Sequence, residues 1–302
     1  MSGYTSAATA APFNHALKPI ISAAPDLSRV GELTDADRAE ALQFLAIRPV
    51  HTVVMTSFIN DNGIESELHR GKFYGYRNPN GRLEGIALIG HATLVEASTD
   101  DALKAFAFAA RRSETPIHLV MSDDDAAELF WSYYSGGARQ PRLTCTELLF
   151  QLSFPFLVRK CEKQLRPATA AELQEVAEAQ AAIAMLESGV DPLERDRDGF
   201  LRRVLKRIEQ GRIFVVVENG HVIFKADVIA ETNEVAYLEG VYVAPEYRGK
   251  GLGSACLSEL GQMLLSRVDT VCLLSNVEFT DAHKCYRNAG FRSIDQCTTL
   301  FA

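Results

Sequence analysis

One stretch constrains the fold more than any other: the run from Val241 to Leu264. Val241-Tyr242-Val243-Ala244-Pro245 reads as the end of a strand, stopped by proline. Arg248-Gly249-Lys250-Gly251-Leu252-Gly253-Ser254 is a loop with three glycines. Leu252, Ala255, Cys256, Leu260, Met263 and Leu264 then recur at helical spacing. A strand feeding a helix through glycines makes an anion cradle. Glycine permits positive φ and removes Cβ, so successive amides can converge on one group. The unpaired N–H groups and positive dipole end of the helix favour negative charge there. Arg248 and Lys250 add fixed cations, and the expected ligand is a pyrophosphate. The spacing G-x-G-x-G is neither the dinucleotide fingerprint nor the P-loop. A Gly-rich turn without a ligand is the plainer alternative.

With 302 residues and 47% hydrophobic composition, the chain has material for two cores. A net charge of −8 argues against non-specific binding to nucleic acid or anionic lipid. No segment nears the roughly 18 uninterrupted apolar residues of a membrane span. The six cysteines form no C-x-x-C pair, and no histidine stands at zinc-like spacing. They are expected to be reduced and buried in a cytoplasmic protein, with no metal. Residues 1–27, rich in Ala, Ser, Thr and Pro, read as a poorly ordered lead-in without a secretory signal.

Two stretches share one order of elements, β-α-α-β-β-β-α-β-α-β. The first spans 28–155. Thr34 to Asp37 marks a helix start, Pro49 opens a second helix, and Asn78-Pro79-Asn80-Gly81 is a hairpin turn. The second spans 156–302. It is expected to begin with a strand from Cys161 to Pro167 and a helix capped by Thr169. A helix from Glu194 to Gln210, a hairpin at Asn219-Gly220 and a strand from Val235 to Val243 follow. A short helix capped by Thr280 precedes the last strand. The expected class is α/β (α+β): two tandem domains, each a mixed, mostly antiparallel sheet flanked by helices.

Arg248-x-x-Gly251-x-Gly253 after a Val-x-Val-x-Pro strand resembles motif A of the GNAT superfamily of N-acyltransferases. Asn276, Ala282, Tyr286, Gly290 and Phe291 resemble that family's downstream segment, with Phe279 where its second Asn stands. The resemblance covers about Lys160 to Ala302. It implies tandem GNAT-like domains, the N-terminal copy degenerate. His91 to Ala97 there runs straight into helix-like residues without a glycine loop, so that half is expected to bind no CoA.

By the same resemblance, the activity is transfer of acetyl from acetyl-CoA to an amine by direct attack, without a metal. Val241, Tyr242 and Val243 would pair with the pantetheine, and Gly249, Lys250, Gly251, Leu252, Gly253 and Ser254 would hold the pyrophosphate. Arg248 would play a structural or electrostatic part. Tyr286 takes the position of the general acid, or else packs against the cofactor. Glu239 would be the base or an amine ligand, unless water removes the proton. The Val243 amide would polarise the thioester. Asn276 would bond the pantetheine or cap a turn. The acceptor, a small-molecule or peptide amine, and the oligomeric state carry no readable code. Another acyl-CoA as donor, a CoA-binding sensor without turnover and a purely structural tandem are the competing readings. The arginines around Glu194–Gln210 interleave with acids and read as a solvated face, and His51, His69, His91 and His118 as ordinary histidines.

Overall fold

The computed structural model describes residues 25–123, 125–154 and 159–302. Of the proposed lead-in at 1–27, residues 1–24 lie outside these residues, and Asp26 caps a short turn at Leu27–Arg29. The first half runs β1 (Val30–Glu32), α1 (Arg38–Leu45), α2 (Pro49–Asn62), β2 (Gly71–Arg77), β3 (Leu83–Gly90), β4 (Ala92–Ala97), α3 (Asp100–Ala110), β5 (Leu119–Asp123), α4 (Ala126–Ser135) and β6 (Leu143–Leu152). The second runs β7 (Arg166–Pro167), α5 (Leu173–Ser188), α6 (Pro192–Arg195), α7 (Arg197–Glu209), β8 (Ile213–Glu218), β9 (His221–Glu231), β10 (Val235–Val243), α8 (Leu252–Leu265), β11 (Thr270–Asn276), α9 (Thr280–Asn288) and β12 (Arg292–Phe301). The repeated order therefore holds, apart from the extra one-turn helix α6 in the second half. It extends to local chemistry, because Thr34 with Asp37 and Thr169 with Glu172 form matching capping boxes ahead of α1 and α5.

The strands join one sheet in the order β1-β2-β3-β4-β5-β12-β6-β11-β10-β9-β8-β7. Each half gives its last strand to the other. β12 pairs with β5 of the first half, β6 pairs with β11 of the second, and β6 and β12 pair with each other. Only β4·β5 and β10·β11 are parallel among the described pairings. α8 and α9 pack on one face of the second half over Phe224, Ala226, Ala236 and Leu238. On the other face α2 crosses from the first half, with Val53 buried against Tyr237, Cys272 and Leu149. Asp61–Arg212 at 3.0 Å and His51–Asp295 at 2.9 Å fasten that crossing.

Three local expectations need correction. The strand expected at Cys161–Pro167 shrinks to Arg166–Pro167, because Cys161 is buried against Cys256 of α8, Sγ to Sγ 3.2 Å, rather than laddered. The helix expected from Glu194 to Gln210 breaks at Asp196, which leaves helical geometry at φ −157° and accepts from Gly199 N at 2.9 Å to start α7. Thr280 is the first residue of α9 and not its cap; Phe279 takes that place without a side-chain bond.

The first half also has a fork, where β4 and β5 pair only at Ala92–Leu94 with Leu119–Met121 and then part. Arg48 bridges the prongs, 3.1 Å from Glu96 and 2.7 Å from Asp123. Burial raises the Glu96 carboxyl above its usual range while the Arg48 charge opposes that shift. Arg48→Ala is expected to cost about 2 kcal/mol, because two carboxylates lose a charged donor at a largely enclosed place. A urea midpoint lowered at unchanged m-value checks this.

Candidate active site

The second fork is open. β10 and β11 pair from Val235–Thr270 to Leu238–Leu273 and no further. Past that point β11 continues along β6, while β10 continues along β9 alone. A bulge sets the divergence. Glu239 faces Asp227 and Tyr242 faces Lys225, so β10 carries one extra residue between them. Gly240 sits in the bulge at φ +60°, and a Cβ there would lie 2.5 Å from Gln180 Oε1 and 2.7 Å from Lys225 Nζ. Lys225, fully buried, donates to Gly240 O at 3.1 Å and to Gln180 Oε1 at 2.5 Å, and pairs with buried Asp227 at 2.7 Å.

The free edge of β10 has defined polarity. Ala244 N donates to Ile223 O of the β9 strand, so the preceding Val243 turns its amide and carbonyl toward the open side. Arg248 Nε donates to that Val243 carbonyl at 2.9 Å, which ties the loop to the end of β10. Val241, Tyr242 and Val243 are half-buried along this edge.

The cradle follows directly. Gly249 at φ +71° and Gly251 at φ +85° take left-handed backbone that side chains resist. Gly251 is the N-cap of α8, with no side-chain cap bond, so the first turn, Leu252 to Ser254, lacks a capping acceptor. Gly253 needs its small size for packing, since a Cβ would lie 2.9 Å from Cys285 Sγ and 3.0 Å from Val243 Cγ2. Tyr247 hydrogen-bonds Glu218, which also pairs with Lys163, and this ties the loop to β8. Lys250 is exposed beside the Tyr247 ring.

Tyr286 on α9 is 7% exposed in the α8-side core, its ring edge-on to Phe150. Burial raises its pKa, the neighbouring Cys285 adds to the rise, and a hydrogen bond with Ser275 works against it. Ser275 lies on β11 just past the fork. The phenol is therefore held protonated next to the opening. Cys285 is pushed up to about 11 by burial, which leaves it a poor nucleophile.

Glu239 lies on the opposite face of the sheet, two residues along β10 from Tyr237, which packs on Val53 and Leu149. Burial raises its carboxyl, with the Arg207 charge and the Tyr237 hydroxyl pulling the other way. Glu147 on β6 is raised by burial and by Glu239, and Glu187 at the end of α5 is raised to about 7 by desolvation and then by Glu239 and Glu147. An acidic wall thus flanks the fork on this side.

Asn276 takes the turn role. Its side-chain oxygen accepts from Glu278 N at 2.9 Å, and its carbonyl contacts His283 Nε2 at 2.9 Å. Sequence reasoning missed Lys225, Asp227 and Ser275. The first two carried a signal, a Lys-x-Asp pair inside the otherwise apolar run Val222 to Ala230, where charge implies burial with a partner. Arg207, from the arginine-rich helix, reaches Asp227 at 3.8 Å, so that face is not wholly solvated. Among the described residues no group of His, Cys, Asp and Glu has the arrangement of a metal site. No described helix is long and apolar enough to cross a membrane.

Residues 209–293 match the family profile of the acetyltransferase (GNAT) domain. This part of the chain is a GNAT domain. The solved structures extend the likeness in fold to nearly the whole chain. A tandem GNAT protein from the clavulanic acid biosynthesis pathway is 12% identical at a TM-score of 0.55, covering 90% of this chain and 97% of its own. A GNAT-family acetyltransferase from Colwellia psychrerythraea is 14% identical at 0.52, covering 90% and 99%. A Drosophila protein is 11% identical at 0.66, covering 91% and 98%. No curated protein sequence matches the chain. The matched residues include the open fork, the glycine cradle and Tyr286.

Proposed function

We propose that the protein transfers acetyl from acetyl-CoA to a primary amine, by direct attack in a ternary complex. The observation that carries this reading is the open fork of β10 and β11 running into the uncapped end of α8. The free edge of β10 at Val241 to Val243 pairs with the pantetheine, and the amides of Gly249 to Ser254 with Lys250 hold the pyrophosphate. The thioester lies in the fork, its carbonyl polarised by the Val243 amide. Glu239 takes the proton of the incoming ammonium, directly or through water, since a raised carboxyl pKa suits a base near neutrality. The neutral amine attacks the carbonyl carbon, the C–S bond breaks, and Tyr286 protonates the departing thiolate. Cys285 forms no acyl-enzyme, being half-buried and protonated.

On this reading the chain divides at 28–155 and 156–302. The first half holds no CoA, because Arg48 clips its fork and it lacks the glycine loop. Through α2 it supplies a wall of the acceptor side. Its free cysteines fit a reducing compartment such as the cytoplasm. The acidic wall suits a small-molecule or peptide amine arriving as a cation.

Calorimetric titration with acetyl-CoA, followed by thiol release over a panel of amines, tests the reading. Micromolar binding with amine-dependent thiol release supports it, binding without release from any amine leaves a CoA sensor, and no binding overturns it. In Gly251→Glu, Kd is expected to rise at least 100-fold: the carboxylate enters the cradle, and the Cβ falls 2.3 Å from Arg159 Nη1 at a φ of +85°.

A further inference from the structure

Arg159 and Cys161 lie against α8. Arg159 N donates to Ser258 Oγ at 3.3 Å, and Cys161 N donates to Glu259 Oε2 at 3.1 Å. This backbone anchorage sends the Arg159 side chain back toward the start of the helix. There its Nη1 stands 2.3 Å, and its Cζ 3.5 Å, from where a Cβ on Gly251 would be. A guanidinium thus rests on the N-cap of α8, on the side where the first-turn amides lack a side-chain acceptor.

That placement is electrostatically unfavourable as it stands. The amide end of a helix is positive, and a cation there raises its energy. Lys250, on the same loop, adds a second positive charge. Among the described residues no carboxylate lies within ion-pair distance of either Arg159 or Lys250. Tyr247 and Lys163 are already engaged by Glu218, so the nearby acid is taken. Two cations and a row of amides around one glycine turn balance only with an anion between them.

We infer that Arg159 is a cofactor-binding residue that closes over the pyrophosphate of CoA from the connector, opposite the Gly249–Ser254 amides. The inference rests on the proposed CoA site. It makes that site composite, with the glycine loop supplying the floor and Arg159 the clamp. A planar guanidinium suits this task because it can donate two parallel bonds to phosphate oxygens.

The test compares CoA with pantetheine, which has the same arm and no phosphate, in calorimetric titrations of the full chain. In Arg159→Ala the Kd for CoA is expected to rise about tenfold or more, while the preference for CoA over pantetheine falls by the same factor. Arg159→Lys, which keeps the charge and loses the fork, should fall between Arg159→Ala and wild type. Equal CoA affinity in wild type and Arg159→Ala overturns the inference and leaves the CoA site intact. A loss shared equally by CoA and pantetheine also overturns it, because it marks Arg159 as a packing residue. Absence of CoA binding in the wild type itself overturns the underlying site and this inference with it.

Discussion

Tyr286→Phe is expected to lower kcat by about 100- to 1000-fold while leaving Kd for acetyl-CoA within about twofold, as removal of a positioned general acid does. The phenol is nearly closed off from solvent, and its ring edge packs on Phe150, so phenylalanine keeps the packing and removes only the hydroxyl. Burial raises its pKa above the ordinary value, so the proton stays in place through the range where the acceptor amine deprotonates. The alkaline side of the rate profile should therefore show no loss up to about pH 9 in wild type. Steady-state kinetics beside calorimetry separates the two roles. Unchanged kcat in the variant would make Tyr286 a packing residue against the cofactor arm, and the acid would then have to be water.

Lys225→Met is expected to cost about 3–5 kcal/mol of stability, the usual consequence of stripping one partner from a buried ion pair. Both Lys225 and Asp227 are essentially without solvent contact, and Arg207 reaches Asp227 only at 3.8 Å, too far to replace the ammonium. Methionine fills the same volume, so the loss is electrostatic and not a cavity effect. The companion Lys225→Met with Asp227→Leu should recover most of the loss, since an apolar pair leaves no orphaned charge. Chemical denaturation of the two variants reads both numbers. The double variant should still lose transferase activity, because the Gly240 carbonyl that Lys225 holds belongs to the bulge that opens the fork. Full activity in the double variant would show that the bulge holds without its lysine.

The cradle was legible in the chain because backbone geometry there dictates residue type. Gly249 and Gly251 answer to positive φ, and Gly253 to the closeness of Cys285 and Val243. The order of elements was legible because turns and caps are local, as the matching boxes at Thr34 and Thr169 illustrate. The exchange of last strands was not. β6 and β12 carry apolar residues suited to either partner, and which edge a strand joins is decided by distant packing. Arg159 carried no signal for a related reason, since a lone arginine in a connector has no period and its role depends on where Ser258 and Glu259 fix the backbone. Glu239 could be suspected from its strand, but the charge that most opposes its burial, Arg207, comes from a different element of the fold.

The crossing of β6 and β12 has a consequence for how the chain is made. As the protein leaves the ribosome, the first half emerges with β5 at an open edge, and its neighbour in the finished sheet is β12, the last strand of the second half. The first half cannot reach its finished sheet until β12 has been made. The nascent chain must carry an exposed strand edge until β12 has emerged, a period in which pairing with another chain competes with closure. Contacts that span so much of the chain also make folding slow. A gene cut at the connector would not yield two smaller proteins. It would yield two fragments, each waiting for the other's last strand.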